Sequence, residues 1–305
     1  SIKNLGHCTL SRNHILSILL IGWVCYAGGC LPKIGLAYSK SRSNRSKWLS
    51  EAEYISIPKP FLAFLVGFID GDGHIYIRKS DKTITMNLTI SLHLDDIAIL
   101  NYIQSVLKIG KIYIYSSRKS PTVRLVFNRT ELQEVLFPLL QYHEIFFLTE
   151  RRRTQYYMAL YIFKHNIKYY SELPLVATVS QELPTISEDY VNLHFFTDWI
   201  VGFVAAEGSF FMKKNKEGCF QIKQKLHFKL FDAFKLVFNT TRKITVDCNL
   251  YTQFGVSSKA DIQKVINYFS FSGHHPLVGL KAIQYLVWLD ELRNSERYNK
   301  LIFPS

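Results

Sequence analysis

The residues best placed to do chemistry in this chain close two apolar runs. "FLVGFIDGDG" (64–73) ends on Asp70 and Asp72, and "WIVGFVAAEG" (199–208) ends on Glu207. Runs of this kind read as buried helix, where an ionised carboxylate is costly unless something offsets its charge. With the glycines aligned, Asp72 falls over Glu207, 135 residues further on (207 against 72), while Asp70 falls over Ala205. Asp70, with no counterpart, reads as an acid that merely ends its helix. An acid held in register in both copies calls for a shared function.

Gly67 and Gly71 lie four apart, as do Gly202 and Ala206, so each helix carries small residues on one face. Such faces allow two helix backbones to approach closely. A pseudo-two-fold axis between them would bring Asp72 and Glu207 together at the ends of the paired helices. Two carboxylates there repel, and each helix C-terminus adds roughly half a negative charge. Either one carboxyl takes up a proton or a cation sits between them. Carboxylate and carbonyl oxygens suit a hard divalent ion, Mg²⁺ first, with Gly71 and Ala206 beside the acids as further ligating positions.

The elements that would position these acids occur twice, at an offset near 130 residues. "LVGFIDGDGHIYI" (65–77) lies over "IVGFVAAEGSFFM" (200–212), and "LTISLHLDDIAILNYIQSVL" (88–107) over "FQIKQKLHFKLFDAFKLVF" (220–238). "TERRRTQYYMALY" (149–161) lies over "GLKAIQYLVWLDE" (279–291). Within each copy the pattern gives helix, strand pair, helix, strand pair, helices. "HIYIRKS", "ITMNLTISLHL", "GKIYIYSS" and "TVRLVFN" have period-two character, and "DDIAILNYIQSVL" has helical spacing with Asp95 or Asp96 as its cap. Thr130 of "TELQEVLFPLL" is placed to cap the next helix. The fold class is α+β, repeated in tandem. The boundaries expected are 1–58 for a basic leader, 59–165 and 195–305 for the repeats, and 166–194 for a connector.

A chain of 305 residues can build two domains with real cores, and 48% hydrophobic content excludes a disordered protein. The net charge of +13 points to a polyanionic partner, nucleic acid before a membrane surface. Five cysteines without a C-x-x-C pair argue against a disulfide framework or zinc knuckle, and His274-His275 reads as a loop pair. The first 50 residues carry seven Lys or Arg and no acid, as an organellar targeting or residual leader segment would. Their apolar run at 15–31 has 17 residues, the lower edge of a membrane span.

Across about 60–303, the paired "LVGFIDGDG" and "IVGFVAAEG" and the late "PLVGLKAIQYLVWLDELRNSERY" resemble the double-motif LAGLIDADG homing endonucleases and intron maturases of fungal mitochondrial introns. The resemblance implies tandem αββαββα units with the motif helices at their interface and two antiparallel sheets forming a saddle on double-stranded DNA. It implies that Asp72 and Glu207 bind two or three divalent ions, Mg²⁺ with Mn²⁺ as a substitute, beside the scissile phosphates. Lys281 matches a supporting basic residue, and its first-repeat partner is Arg152, with Arg151 left open. Gln224 matches a polar residue near the metal and water, where the first repeat has Leu92. A mitochondrial phosphodiesterase leaving 3′ overhangs is the implied enzyme, with a maturase acting on the host group I intron RNA as the alternative, and the near-equal halves imply a monomer.

Recognition should lie on the strands. Tyr76 and Arg78 face opposite to Ile75 and Ile77, so one side can pack while the other enters a major groove. Tyr113, Tyr115, Arg118, Lys119 and Arg124 have a similar role, as do Lys213, Lys214, Lys216, Gln221, Lys223 and Lys225 in the second copy. Several of these should touch only phosphate.

Overall fold

A computed structural model describes residues 48–117, 119–177, 182–225, 227–248 and 250–305. The leader's apolar run and Arg118 lie outside the described residues. Among those described, no helix is long and apolar enough to cross a membrane.

The elements follow the repeat. A short helix α1 (Glu51–Ile55) precedes the first motif helix α2 (Lys59–Asp72). Then come β1 (Gly73–Ser80), β2 (Thr83–His93), α3 (Ile97–Leu107), β3 (Lys111–Tyr115) and β4 (Thr122–Asn128). A composite helix over 129–142, with a π segment at Leu132–Leu136, ends in α4 (Phe137–Tyr142) and leads to α5 (Glu150–Lys164). The connector is more structured than a plain linker: Tyr169 bridges to Thr83, and α6 (Ser187–Val191) buries Ser187 and Tyr190. The second copy runs α7 (Phe196–Glu207), β5 (Gly208–Met212), β6 (Gly218–Lys225) and α8 (Phe228–Val237). It finishes with β7 (Thr245–Val246), β8 (Tyr251–Val256), α9 (Lys259–Ser270) and α10 (Leu280–Arg293).

The two antiparallel sheets share one topology, β1-β2-β4-β3 and β5-β6-β8-β7. Period-two burial explains how each sheet faces. Val123, Leu125 and Phe127 of β4 turn inward onto Ile99, Leu100, Ile103 and Leu107 of α3, and Thr252, Phe254 and Val256 of β8 do the same in the second copy. The opposite faces carry polar and aromatic side chains.

Two local expectations need correction. The helix after β4 is capped by Asn128, which forms a capping box with Glu131, and not by Thr130. Asp96 stands at the start of α3 but makes no cap bond to it. Its carboxylate is engaged elsewhere.

The motif helices α2 and α7 pack backbone against backbone. A Cβ at Gly67 would collide with the Trp199 carbonyl, and one at Gly202 with the Phe64 carbonyl. Around this crossing Phe64, Phe68, Trp199 and Phe203 are buried completely or nearly so. The small-residue faces therefore serve the close approach that their spacing implies.

Candidate active site

The crossing of α2 and α7 sets the geometry of the acids. Both helices end at a glycine, Gly73 or Gly208, whose amide bonds back to Ile69 or Val204 while the chain turns directly into a strand. Asp72 and Glu207 are thus the last helical residues, side by side across the interface. A Cβ on Gly71 would come within 3.6 Å of Glu207 Oε1. Burial is the main reason that the Asp72 carboxyl is pushed up to about 7, and the Glu207 charge adds to it against the pull of Lys281 and Arg152. Glu207 is also raised by burial, with a hydrogen bond from Gln224 opposing.

Around the pair the repeats differ. Gln224 Nε2 donates to Glu207 Oε1 at 2.7 Å, whereas Leu92, in register on β2, packs against the core. Among the described residues no side chain donates a hydrogen bond to Asp72. Lys281 Nζ donates to the Gly208 carbonyl at 2.5 Å, and it lies near Asp72, Asp96 and Glu207, whose charges favour its ammonium form. Burial nevertheless lowers its pKa overall.

Arg152 is buried, with Nε donating to the Ile69 carbonyl at 3.0 Å and Nη1 to Gln155 Oε1 at 2.7 Å. Burial brings its pKa down to about 10, against support from Asp70 and Asp72, so it stays charged at neutral pH. Arg151 is exposed. Of the two arginines left open by alignment, Arg152 is the one that faces the acids.

Asp70 is not a simple helix end. It is 2% exposed and accepts hydrogen bonds from Leu148 N (2.8 Å), Thr149 N (3.2 Å), Thr149 Oγ1 (2.6 Å) and Trp199 Nε1 (2.9 Å). The last donor comes from the other repeat. Burial pushes this carboxyl up to about 6, outweighing the four bonds. Asp70 thus fixes the start of α5, which delivers Arg152, to both motif helices.

The donor set fits a hard divalent cation. Two carboxylates face each other where each raises the cost of ionising its neighbour, and the last carbonyls of a helix lack intrahelical partners, so those of Gly71 and Ala206 are suited to complete the oxygens. Among the described residues no group of three or more His, Cys, Asp or Glu could hold a metal. A cation at Asp72 and Glu207 would therefore take its remaining oxygens from backbone, water or a phosphate ligand.

The outer sheet faces carry the side chains expected to meet a nucleic acid. In the first repeat, Arg78 lies over the Tyr76 ring at 4.0 Å, Lys111 over Tyr113 at 5.1 Å and Arg124 over Tyr115 at 5.1 Å. Lys119 is exposed in the β3–β4 turn, and Lys214 and Lys216 in the β5–β6 turn. Gln221, Lys223 and Lys225 alternate along β6 with the inward Phe220 and Ile222. Two of the expected contacts are not free cations: Lys213 is paired with Glu217 at 2.8 Å and Lys223 with Asp247 at 2.7 Å. Beyond the residues expected from sequence, His74, Asn87, Lys111, Tyr251 and Gln253 share these faces by strand register. Period two alone would have found them. His74 sits 3.2 Å from Gln155 Nε2, and burial together with Arg152, Arg151 and Arg78 pulls its pKa down to about 4, so its ring is neutral.

Two helices crossing on glycine, each ending in an acid and leading into one sheet of a pair, define a tandem-repeat protein of the double-motif LAGLIDADG architecture. The LAGLIDADG endonuclease family model matches residues 65–163 and 200–292, and the chain belongs to that family. It is 26% identical over 340 aligned positions to the probable intron-encoded endonuclease Cox1-I1b of Schizosaccharomyces pombe, covering 99% of this chain and 83% of the relative. The probable intron-encoded endonuclease aI3 of Dictyostelium discoideum is 26% identical over 242 positions, covering 76% of this chain and 95% of the relative. Among solved structures, I-SmaMI bound to an uncleaved DNA target with calcium ions aligns with a TM-score of 0.58 at 17% identity, covering 76% of this chain and 91% of that one. The meganuclease I-CpaMI bound to uncleaved DNA aligns with a TM-score of 0.57 at 19% identity, over 76% and 90%.

Proposed function

We propose that this endonuclease is a Mg²⁺-dependent homing enzyme that makes a double-strand break, with 3′ overhangs, at a long asymmetric DNA site. That site is the intronless allele of its host gene, in mitochondria. The observation that carries the reading is the side-by-side placement of Asp72 and Glu207, with Lys281 and Arg152, one from each repeat, near enough for their charges to act on both acids. Intron-encoded relatives and DNA-bound structural neighbours support it. Residues 59–165 and 195–305 act as the two halves of a monomer, joined through 166–194.

Asp72 and Glu207 would hold the cations, with the Gly71 and Ala206 carbonyls as further oxygens. When bound, Mg²⁺ neutralises phosphate charge and lowers the pKa of an attacking water. Lys281 and Arg152 set fixed positive charge beside the reacting phosphates, in a site already screened from bulk water, where charge stabilisation is strongest. Gln224 orients Glu207 on one side only, so the two strands are cut by chemically different half-sites. The outer sheet faces, rich in arginine, lysine and tyrosine, hold the duplex through phosphates and read base edges at selected positions.

The test is incubation of a plasmid carrying the joined exons of the host gene with the protein, with Mg²⁺, Mn²⁺ or EDTA present. Linear product with either metal and none in EDTA is expected. Tight binding to the junction with no cut strand under any metal would overturn the nuclease reading. Splicing of the intron RNA would then be the activity to measure.

A further inference from the structure

The carboxylate of Asp96 leaves its own helix uncapped and crosses into the other repeat. Its Oδ1 accepts a hydrogen bond from the Leu280 amide at 2.9 Å. Leu280 is the first residue of α10, whose flanking residue Gly279 has no side chain to satisfy that end. Gly279 adopts a φ of +69°, and a Cβ there would run into Asp96. The turn is therefore shaped to admit a carboxylate from outside. The N–H groups of a helix's first turn have no intrahelical acceptor, and an acid placed there satisfies one and complements the helix dipole.

The next residue after Leu280 is Lys281. Other bonds from α3 and the second motif helix hold the approach to this turn. Tyr102 Oη lies 2.9 Å from His275 Nε2, and Asp198 Oδ1 accepts from the His275 amide at 2.7 Å. The equivalent place in the second copy has no such acid: His227 precedes α8 as Asp96 precedes α3, and Arg152 is held within its own repeat by Ile69 and Gln155.

We propose that Asp96 is a positioning residue that caps α10 across the domain interface and thereby aims Lys281 at the paired carboxylates. The half-site served by Lys281 is then set by a cap that crosses directly between the repeats, whereas the start of the helix carrying Arg152 is held by Asp70 of its own repeat, which Trp199 in turn anchors. The role in cleavage rests on the nuclease reading above, but the cap itself does not.

Asp96→Ala removes the acceptor, and Asp96→Asn keeps an oxygen in its place while removing the charge. Hydrogen exchange over residues 279–286 is measured in both variants, together with strand cleavage of a supercoiled junction plasmid and binding in Ca²⁺. In Asp96→Ala, exchange at the start of α10 should rise about tenfold, as loss of a cap implies. Cutting of one strand should slow by about the same factor, so that nicked circles accumulate while binding is kept. Asp96→Asn should recover most of both. Unchanged exchange in Asp96→Ala, or an Asn variant as impaired as Ala, would overturn the proposal. If the wild type does not cut, the nuclease reading fails, and the exchange data still decide whether Asp96 caps α10.

Discussion

Removing the Glu207 charge should stabilise the metal-free protein, and most of all above the pH at which Asp72 ionises. The folded Asp72 carboxyl titrates at about 7 against an ordinary 3.8, so the folded chain holds its proton through a window where the unfolded chain has lost it. Protonated Asp72 therefore supports the fold below pH 4, and that support is lost progressively as pH rises from 4 to 7. The shift as a whole corresponds to about 4 kcal/mol at 1.4 kcal/mol per unit. Burial is its largest cause and Glu207 the next, with Lys281 and Arg152 opposing, so the loss of the Glu207 charge should be worth about 1–2 kcal/mol. Glu207→Gln keeps a carbonyl oxygen to accept from Gln224 and removes only the charge. Thermal unfolding in EDTA at pH 8 should show a Tm about 2–6 °C higher than wild type for a chain of this size. At pH 5 the difference should be smaller, because Asp72 is then neutral and only the cost of burying the Glu207 charge remains to be relieved. Divalent cations should raise the wild-type Tm at pH 8 and have much less effect on the variant. A variant with unchanged or lower Tm at pH 8 would show that the two acids do not repel across the interface.

Two other outcomes follow from the crossing. Asp70→Asn should destabilise the protein by about 2–3 kcal/mol in urea titration, since the amide nitrogen would meet N–H donors where an oxygen now accepts. Gly202→Ala should cost at least about 3 kcal/mol, and limited proteolysis should then cut between the repeats, because the added methyl meets the Phe64 backbone and no rotamer can relieve it.

Much of this arrangement is legible in the chain. The repeat, the four strands of each half and the pairing of Asp72 with Glu207 follow from period and spacing, because the same pattern had to bury the same faces twice. What escaped are bonds made between halves. Asp70 looks like a helix end until Trp199 and the 148–149 turn close over it, and Asp96 looks like the cap of α3 until Gly279 brings α10 beneath it. Lys213 and Lys223 look like free phosphate contacts, yet Glu217 and Asp247 reach them by a turn and by strand pairing. Lys281 and Arg152 align in sequence, but only the fold shows that the first is held at Gly208 and the second at Ile69. Charge and spacing identify which residues are present, whereas partners distant in sequence determine what each can do.

The central claim is that Asp72 and Glu207 together make one cation-dependent catalytic centre. It is tested most directly by comparing wild type, Asp72→Asn and Glu207→Gln for cleavage of the exon junction in Mg²⁺, with binding to the same duplex measured in Ca²⁺. The account predicts that the wild type cuts both strands, and that each variant still binds but loses at least about a hundredfold in cutting, as removal of a metal-holding carboxylate implies. A variant that binds and cuts at the wild-type rate would contradict it.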